Sequence, residues 1–171
     1  MFNLGLIGYG YWGPNLLRNF IETGRLNLIK IYELDSKKLN NIQLKYFNVI
    51  IANNIEEIIE NKNINAVVIA TPVSTHFNLA LKALKNGKNV LIEKPMASSS
   101  AECQLLIDEA KNRNLVLMVD HTFNYTGAVK KIKELINKNE LGKIFYFDSV
   151  RLNLGTFQSD VNVIWDLAVH D

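Results

Sequence analysis

The opening of the chain constrains its fold more than any other stretch. An apolar run from Leu4 to Gly8 leads directly into Gly8-Tyr9-Gly10-Tyr11-Trp12-Gly13, and helical periodicity begins at Pro14. A G-x-G-x-x-G carries little weight inside a loop. Between a strand and a helix, each glycine occupies a place where a side chain would obstruct something. Gly8 permits the tight turn, Gly10 lets a pyrophosphate approach the backbone, and Gly13 lets helix and strand pack closely. The N–H groups at the helix start face the anion. Tyr11 and Trp12 either cover a bound cofactor or pack under the turn.

The same alternation continues downstream. Runs rich in Ile, Val and Leu recur at Leu28 to Tyr32, Val49 to Ala52, Ala66 to Ala70, Val90 to Ile92 and Leu115 to Val119. They read as strands buried on both faces. Segments of helical period lie between them: Pro14 to Glu22, Ser36 to Tyr46, Ile55 to Glu60, Thr75 to Lys85 and Ser99 to Arg113. This order predicts an α/β fold, a Rossmann doubly wound parallel sheet. Pro14 suits a first helical turn, Gly24 and Gly87 suit helix C-terminal caps, and Ser98 to Ser100 offers N-cap oxygens ahead of Glu102. After Val119 the rhythm changes to a helix at Gly127 to Asn137, a long candidate strand at Lys143 to Leu154 and an apolar stretch from Val161. The predicted organisation is an NAD-binding Rossmann domain over 1–120 and the incomplete beginning of a second α/β domain over 121–171.

Composition removes several other classes. With 48% hydrophobic residues in 171, the chain has enough apolar mass for a core, and one Cys with 9 Gly excludes a disulfide scaffold or a collagen repeat. A formal net charge of +2 is too small for the electrostatic footprint of a nucleic-acid binder. No stretch approaches the roughly 18 to 20 apolar residues of a membrane span. The start lacks a basic n-region and cleavage site, so a cytoplasmic location is expected. Cys103, in a polar helical pattern, reads as a partly buried thiol without a redox role.

Glu33 lies twenty positions after Gly13, at the end of the second strand. A carboxylate there accepts both ribose hydroxyls of an adenosine and repels a 2′-phosphate, which favours NAD over NADP. Asp35 can share that work, and Lys37 or Lys38 can tolerate a phosphate; the alternative is a solvated acidic strand end.

Ligands of open α/β sheets sit beyond the carboxyl ends of the strands. After strands four and five these ends carry Ala70-Thr71-Pro72, with His76 nearby, and Glu93-Lys94-Pro95. Ala70 and Thr71 are small enough for close approach by a ribose. His76 either contacts the cofactor or is a capping or surface histidine. Desolvation and a neighbouring positive charge would lower the pKa of Lys94 toward the range useful for proton transfer, with Glu93 opposing the shift. Asp166 and His170, four apart, would share a helix face, so that the carboxylate orients an imidazole acting as acid or base. Without a third ligand nearby, a metal is not expected.

Together these pieces resemble the glucose-fructose oxidoreductase / inositol dehydrogenase / MocA (Gfo/Idh/MocA) family. The resemblance runs from Gly5-Leu6-Ile7-Gly8-Tyr9-Gly10 through Ala70-Thr71-Pro72-Val73-Ser74-Thr75-His76 and Glu93-Lys94-Pro95 to Asp166-Leu167-Ala168-Val169-His170-Asp171. It implies that Gly8, Gly10 and Gly13 hold the pyrophosphate of NAD and that Glu33 replaces the usual ribose-binding Asp. Lys94 would contact substrate and nicotinamide, and Asp166 and His170 match the D-x-x-x-H pair. It also implies the reaction: a sugar, nucleotide-sugar or polyol carbon gives hydride to the nicotinamide while Lys94 and His170 handle the proton. A cis bond between Lys94 and Pro95 is implied as well.

Gly10-Tyr11-Trp12-Gly13-Pro14-Asn15 and Asp120-His121-Thr122-Phe123 look like the branch associated with nucleotide sugars and cell-surface polysaccharides. His121 and Tyr125 either face substrate or pack between domains. The implied partners are a small-molecule substrate and, in a full-length form, copies of the same chain. Family members continue into an open sheet beyond the D-x-x-x-H histidine, whereas this sequence ends one residue after His170. The expectation is a cofactor half plus the beginning of a substrate half, with the strand at 143–154 left as an exposed apolar edge. A second reading is a nucleotide-binding module without turnover, a truncated pseudoenzyme or half of a split enzyme.

Overall fold

The computed structural model describes residues 2–150 and 162–170. They fall into two units, Met1–Val119 and Asp120–Asp171. The first unit alternates β1 (Phe2–Ile7), α1 (Gly13–Glu22), β2 (Leu26–Tyr32), α2 (Ser36–Lys45), β3 (Val49–Ile51), α3 (Glu56–Ile59), β4 (Ala66–Ile69), α4 (Val73–Lys85), β5 (Asn89–Ile92), α5 (Ser100–Asn112) and β6 (Leu117–Val119). All five strand pairings are parallel, in the order β3-β2-β1-β4-β5-β6. This is the doubly wound dinucleotide-binding order.

The two-residue period of the strands sorts apolar side chains onto opposite faces. Leu4 and Leu6 of β1, Ile29 and Ile31 of β2 and Val68 of β4 join Leu17 of α1 and Ile42 of α2 in one core. Ile7, Val67, Ile69, Val90 and Ile92 face the other way and pack with Ile58 and Ile59 of α3, Ala80 and Leu84 of α4 and Leu106 of α5. Helix α3 sits hard against β1: a Cβ on Gly5 would lie 2.2 Å from Ile58 Cγ2. The helix ends follow the local punctuation. Pro14 stands in the first turn of α1, and Gly24 and Gly87, at φ +63° and +74°, follow the ends of α1 and α4. Ser99 caps α5 by accepting from Glu102 N–H at 3.2 Å, while Glu102 reaches back to Ser98 N–H at 3.0 Å.

The second unit holds a 3-10 turn at Thr122–Tyr125, α6 (Gly127–Asn137), α7 (Val163–Asp166) and a second 3-10 turn at Ala168–His170. Helix α6 matches the expected span. The candidate strand at 143–154 does not form over its described residues, 143–150; positions 151–154 lie outside the described residues. A strand needs a neighbour for its N–H and C=O groups. Among the described residues of this unit there is no second extended segment to supply one, and Phe145, Tyr146, Phe147 and Val150 are exposed. No helix among the described residues is long and apolar enough to cross a membrane.

Candidate functional site

The sheet register builds the site. Ile7 is level with Tyr32 of β2 and Ile69 of β4, and Ile69 is level with Ile92 of β5. The residues one step beyond, Gly8, Glu33, Ala70 and Glu93, therefore form a single row along the carboxyl edge. β1 has β2 on one side and β4 on the other, so strand order reverses at Gly8 and Ala70, where a ligand crevice is expected.

The three glycines of the turn do different things. Gly8 has φ +94°, and a Cβ there would lie 2.5 Å from Ala70 O; one on Gly13 would lie 2.8 Å from Gly8 O. Those two positions are closed by the protein itself. At Gly10 a Cβ would meet nothing within 4 Å, so the space in front of its backbone is open to an outside group. Helix α1, which follows, has no side-chain cap and no acidic residue in its first turn, an arrangement that leaves its N-terminus suited to an anion. Tyr11 and Trp12 are 84% and 42% exposed and meet edge to face at 5.8 Å. They do not pack under the turn.

Glu33 is tied to that turn rather than solvated. Its Oε2 accepts from Tyr9 N–H at 2.6 Å, and its Oε1 accepts from Leu34 N–H at 2.9 Å and Asp35 N–H at 3.0 Å. Asp35 has separate work: it caps α2 by accepting from Lys37 N–H and Lys38 N–H. On the β4 side, Thr75 Oγ1 donates to Pro72 O at 2.7 Å and lies 2.7 Å from Thr71 Oγ1. A hydroxyl has one proton, so Thr71 is the donor in that pair, and its remaining capacity is that of an acceptor.

His76 is only 1% exposed, and is neither a helix cap nor a surface group. Its Nε2 lies 2.8 Å from Thr71 O and its Nδ1 2.9 Å from Pro95 O. Glu93 is 8% exposed and accepts from Lys94 N–H at 3.3 Å; Lys94 itself is half-buried, and the Lys94–Pro95 bond is cis. The first unit thus gathers Gly8, Gly10, Gly13, Glu33, Ala70, Thr71, His76, Glu93 and Lys94 at one end of its sheet.

Asp166 and His170 belong to the second unit. They do not share one helix as the four-residue spacing predicts: α7 ends at Asp166, and His170 closes a 3-10 turn in which its N–H donates to Leu167 O at 3.0 Å. The His170 ring packs on Phe123, centroids 4.8 Å apart at 42°. Phe123 as a partner of His170, Thr75 as orienter of Thr71 and the Glu33 link to Tyr9 escape sequence reasoning. Only Thr75, in the first turn of a helix after Thr-Pro, carries a local signal, the tendency of such hydroxyls to bond nearby carbonyls. Cys103 is half-buried, and burial pushes its thiol pKa up, away from a reactive thiolate. No group of three or more metal-ligating side chains occurs among the described residues.

Residues 2–121 match the Gfo/Idh/MocA family, described as an oxidoreductase family with an NAD-binding Rossmann fold. An uncharacterized oxidoreductase of Streptococcus pneumoniae is 30% identical over 88% of the chain and 40% of its own length. The scyllo-inositol 2-dehydrogenase (NAD(+)) of Bacillus subtilis is 28% identical over 67% of the chain and 35% of its own length. The crystal structure of an NAD-binding protein from Listeria innocua superposes with a TM-score of 0.82, covering 99% of the chain and 52% of that structure at 24% identity, a likeness of fold. The chain spans less than half the length of the curated relatives it matches.

Proposed function

The chain belongs to the Gfo/Idh/MocA family of NAD-binding oxidoreductases, and from that premise we propose that it is the cofactor-binding part of a dehydrogenase acting on a sugar, nucleotide sugar or polyol hydroxyl. The observation that carries this is the row Gly8, Glu33, Ala70 and Glu93, with open space only at Gly10 among the three turn glycines. Gly10 and the start of α1 would hold the pyrophosphate, Glu33 the adenosine ribose, and Thr71 a cofactor hydroxyl that donates to it. Tyr11 and Trp12 would cover the loop. When bound, NAD supplies the hydride acceptor.

Glu33 already accepts three backbone N–H groups. A carboxylate has about four acceptor sites, so two ribose hydroxyls displace or share one of these contacts, and a 2′-phosphate meets a negative charge held in place. Lys94 would polarise the reacting oxygen and hold its proton, with His170 as acid or base and Asp166 and Phe123 orienting it. The name of the inositol dehydrogenase relative supports a polyol or sugar substrate, and the Gly10-Tyr11-Trp12-Gly13-Pro14-Asn15 turn supports a nucleotide sugar. A soluble cytoplasmic enzyme assembled from several copies is consistent with this reading.

Titration with NADH, followed by quenching of tryptophan emission, tests the cofactor assignment. Saturable quenching, with NADH bound about tenfold more tightly than NADPH, is the expected result; a folded chain that ignores NADH would reject it. For the catalytic part, Lys94→Ala should lower turnover of the responsive sugar about 10²- to 10⁴-fold with NADH affinity unchanged. Undiminished turnover would remove Lys94 from the chemistry.

A further inference from the structure

We propose that His76 is a positioning residue that struts the loop after β4 against the loop after β5 and so sets where Lys94 stands. The proposal deepens the function above, since it matters to catalysis only if Lys94 acts there. Its physical basis is independent of any cofactor.

The imidazole sits on the first turns of α4, 1% exposed, and faces a backbone carbonyl at each end: Thr71 O at 2.8 Å from Nε2 and Pro95 O at 2.9 Å from Nδ1. A carbonyl oxygen can only accept, so the ring is a donor wherever it carries a proton: a neutral ring ties one loop and turns a lone pair toward the other carbonyl, and a cation ties both. Thr71 and Pro95 lie 24 positions apart in sequence, yet they flank the ends of adjacent strands β4 and β5. Beyond the strand ladder, where Glu93 N–H donates to Ile69 O at 2.9 Å, the ring spans the two turns past the sheet edge.

Each turn also carries a group that faces chemistry. Thr71 presents its hydroxyl, oriented by Thr75, and Lys94 directly precedes the Pro95 carbonyl that the ring holds. Helix α4 is thereby the common support of both: Thr75 steers the Thr71 hydroxyl, and the adjacent His76 spans the two loop backbones. Both ring nitrogens face carbonyls within the fold and the ring is enclosed, so His76 works behind the site rather than on the cofactor. A small rotation of the Lys94 backbone is levered along its stem, and a displacement of about 1 Å at the ammonium is enough to spoil a catalytic contact.

The test reads Lys94 directly. Reductive methylation, followed lysine by lysine by mass spectrometry, is run on the wild type, His76→Leu and His76→Gln without cofactor. Lys88, 5% exposed at the opposite end of β5, reports in the same samples whether the fold is intact. The expected result is Lys94 labelled about fivefold faster in His76→Leu, the size expected when hydrogen bonds of ordinary net strength leave a local opening equilibrium. His76→Gln, whose amide reaches one carbonyl at a time, should fall between, with Lys88 protected throughout. Should His76→Leu fail to fold, the Gln variant is decisive, read together with amide exchange at Thr71 and Lys94: faster exchange at both supports the strut. Unchanged Lys94 labelling and unchanged exchange in a folded variant would overturn it. Adding NADH to the wild type separates the two claims. If NADH leaves Lys94 unprotected while His76→Gln still alters its labelling, the cofactor reading falls and the strut stands.

Discussion

The two edges of the parallel sheet have the same number of strand ends but treat their polar groups differently. At the amino edge the side-chain donors go to the fold, and Asn3 Oδ1 is left buried without a partner among the described residues. Asn3 N–H donates to Asn65 Oδ1 at 2.9 Å and its side-chain amide to Asn63 O at 2.7 Å, while the Asn89 amide donates to Asn65 O and its Oδ1 accepts from Val116 N–H. Lys88 buries its ammonium against Asn61 O at 2.6 Å and Ile64 O at 2.9 Å. At the carboxyl edge the hydrogen bonds of Glu33, Thr75 and His76 fix loop backbones and leave room in front of them, as Gly10 shows. The lesson is that burial of a charged group does not by itself mark a site. Lys88 is more buried than Lys94, yet its donors are spent on carbonyls of a closed loop.

The contrast is broken most severely by Gly8→Ala. The new Cβ would sit 2.5 Å from Ala70 O on a backbone at φ +94°, costing on the order of 3 kcal/mol or more. Urea denaturation should show it, with NADH binding lost as well. Next comes Lys88→Met, which leaves the buried Ile64 carbonyl and the half-buried Asn61 carbonyl without this donor and should cost about 1–3 kcal/mol while leaving NADH affinity alone. Its pH dependence has a definite sign. Burial holds the Lys88 pKa below the ordinary lysine value, so between the two pKa values the unfolded chain binds more protons. The wild-type contribution therefore rises with pH as the ordinary lysine range of about 10.4 is approached, and the stability difference between wild type and Lys88→Met should grow in that direction. Gly10→Ala is smaller and of the opposite kind. It meets no protein atom, so the midpoint of unfolding should hold while NADH affinity falls about tenfold. A Gly10→Ala chain that binds NADH normally would place the pyrophosphate elsewhere.

Much of this was legible in the sequence because the signals are local. Six apolar runs at short spacing, Pro14, Gly24 and Gly87 locate the strands and helices of the first unit to within a residue or two, and the glycine turn marks the crevice. What escaped depends on tertiary neighbours. The stretch at 143–150 has a strand's alternation but no partner among the described residues, and α7 stops at Asp166, so a spacing of four did not become one helix. The sequence leaves His76 open between a cofactor contact and a capping or surface group, and its enclosure comes only from the two loops packed over α4. Lys88 gave no hint, because the carbonyls it caps come from a loop 24 and 27 positions away.

The smallest expected effect lies in the hydroxyl pair of Thr71 and Thr75. Thr75 gives its proton to Pro72 O and therefore receives the proton of Thr71, which leaves Thr71 Oγ1 able only to accept from a bound hydroxyl. Thr71→Val keeps the shape and removes that acceptor, so NADH affinity should fall about three- to fivefold, the loss of one ordinary hydrogen bond. Thr71→Ser keeps the oxygen and removes the methyl whose carbon lies 2.9 Å from where a Gly8 Cβ would stand. If the oxygen is what the cofactor meets, Ser binds like wild type and Val does not. If the methyl matters because it closes the wall beside Gly8, Ser is the weaker binder and the carboxyl edge works here through packing. Isothermal titration of the two variants with NADH separates these outcomes, and Thr75→Ala, which releases the Thr71 proton to point elsewhere, should reproduce part of the Val effect only in the first case.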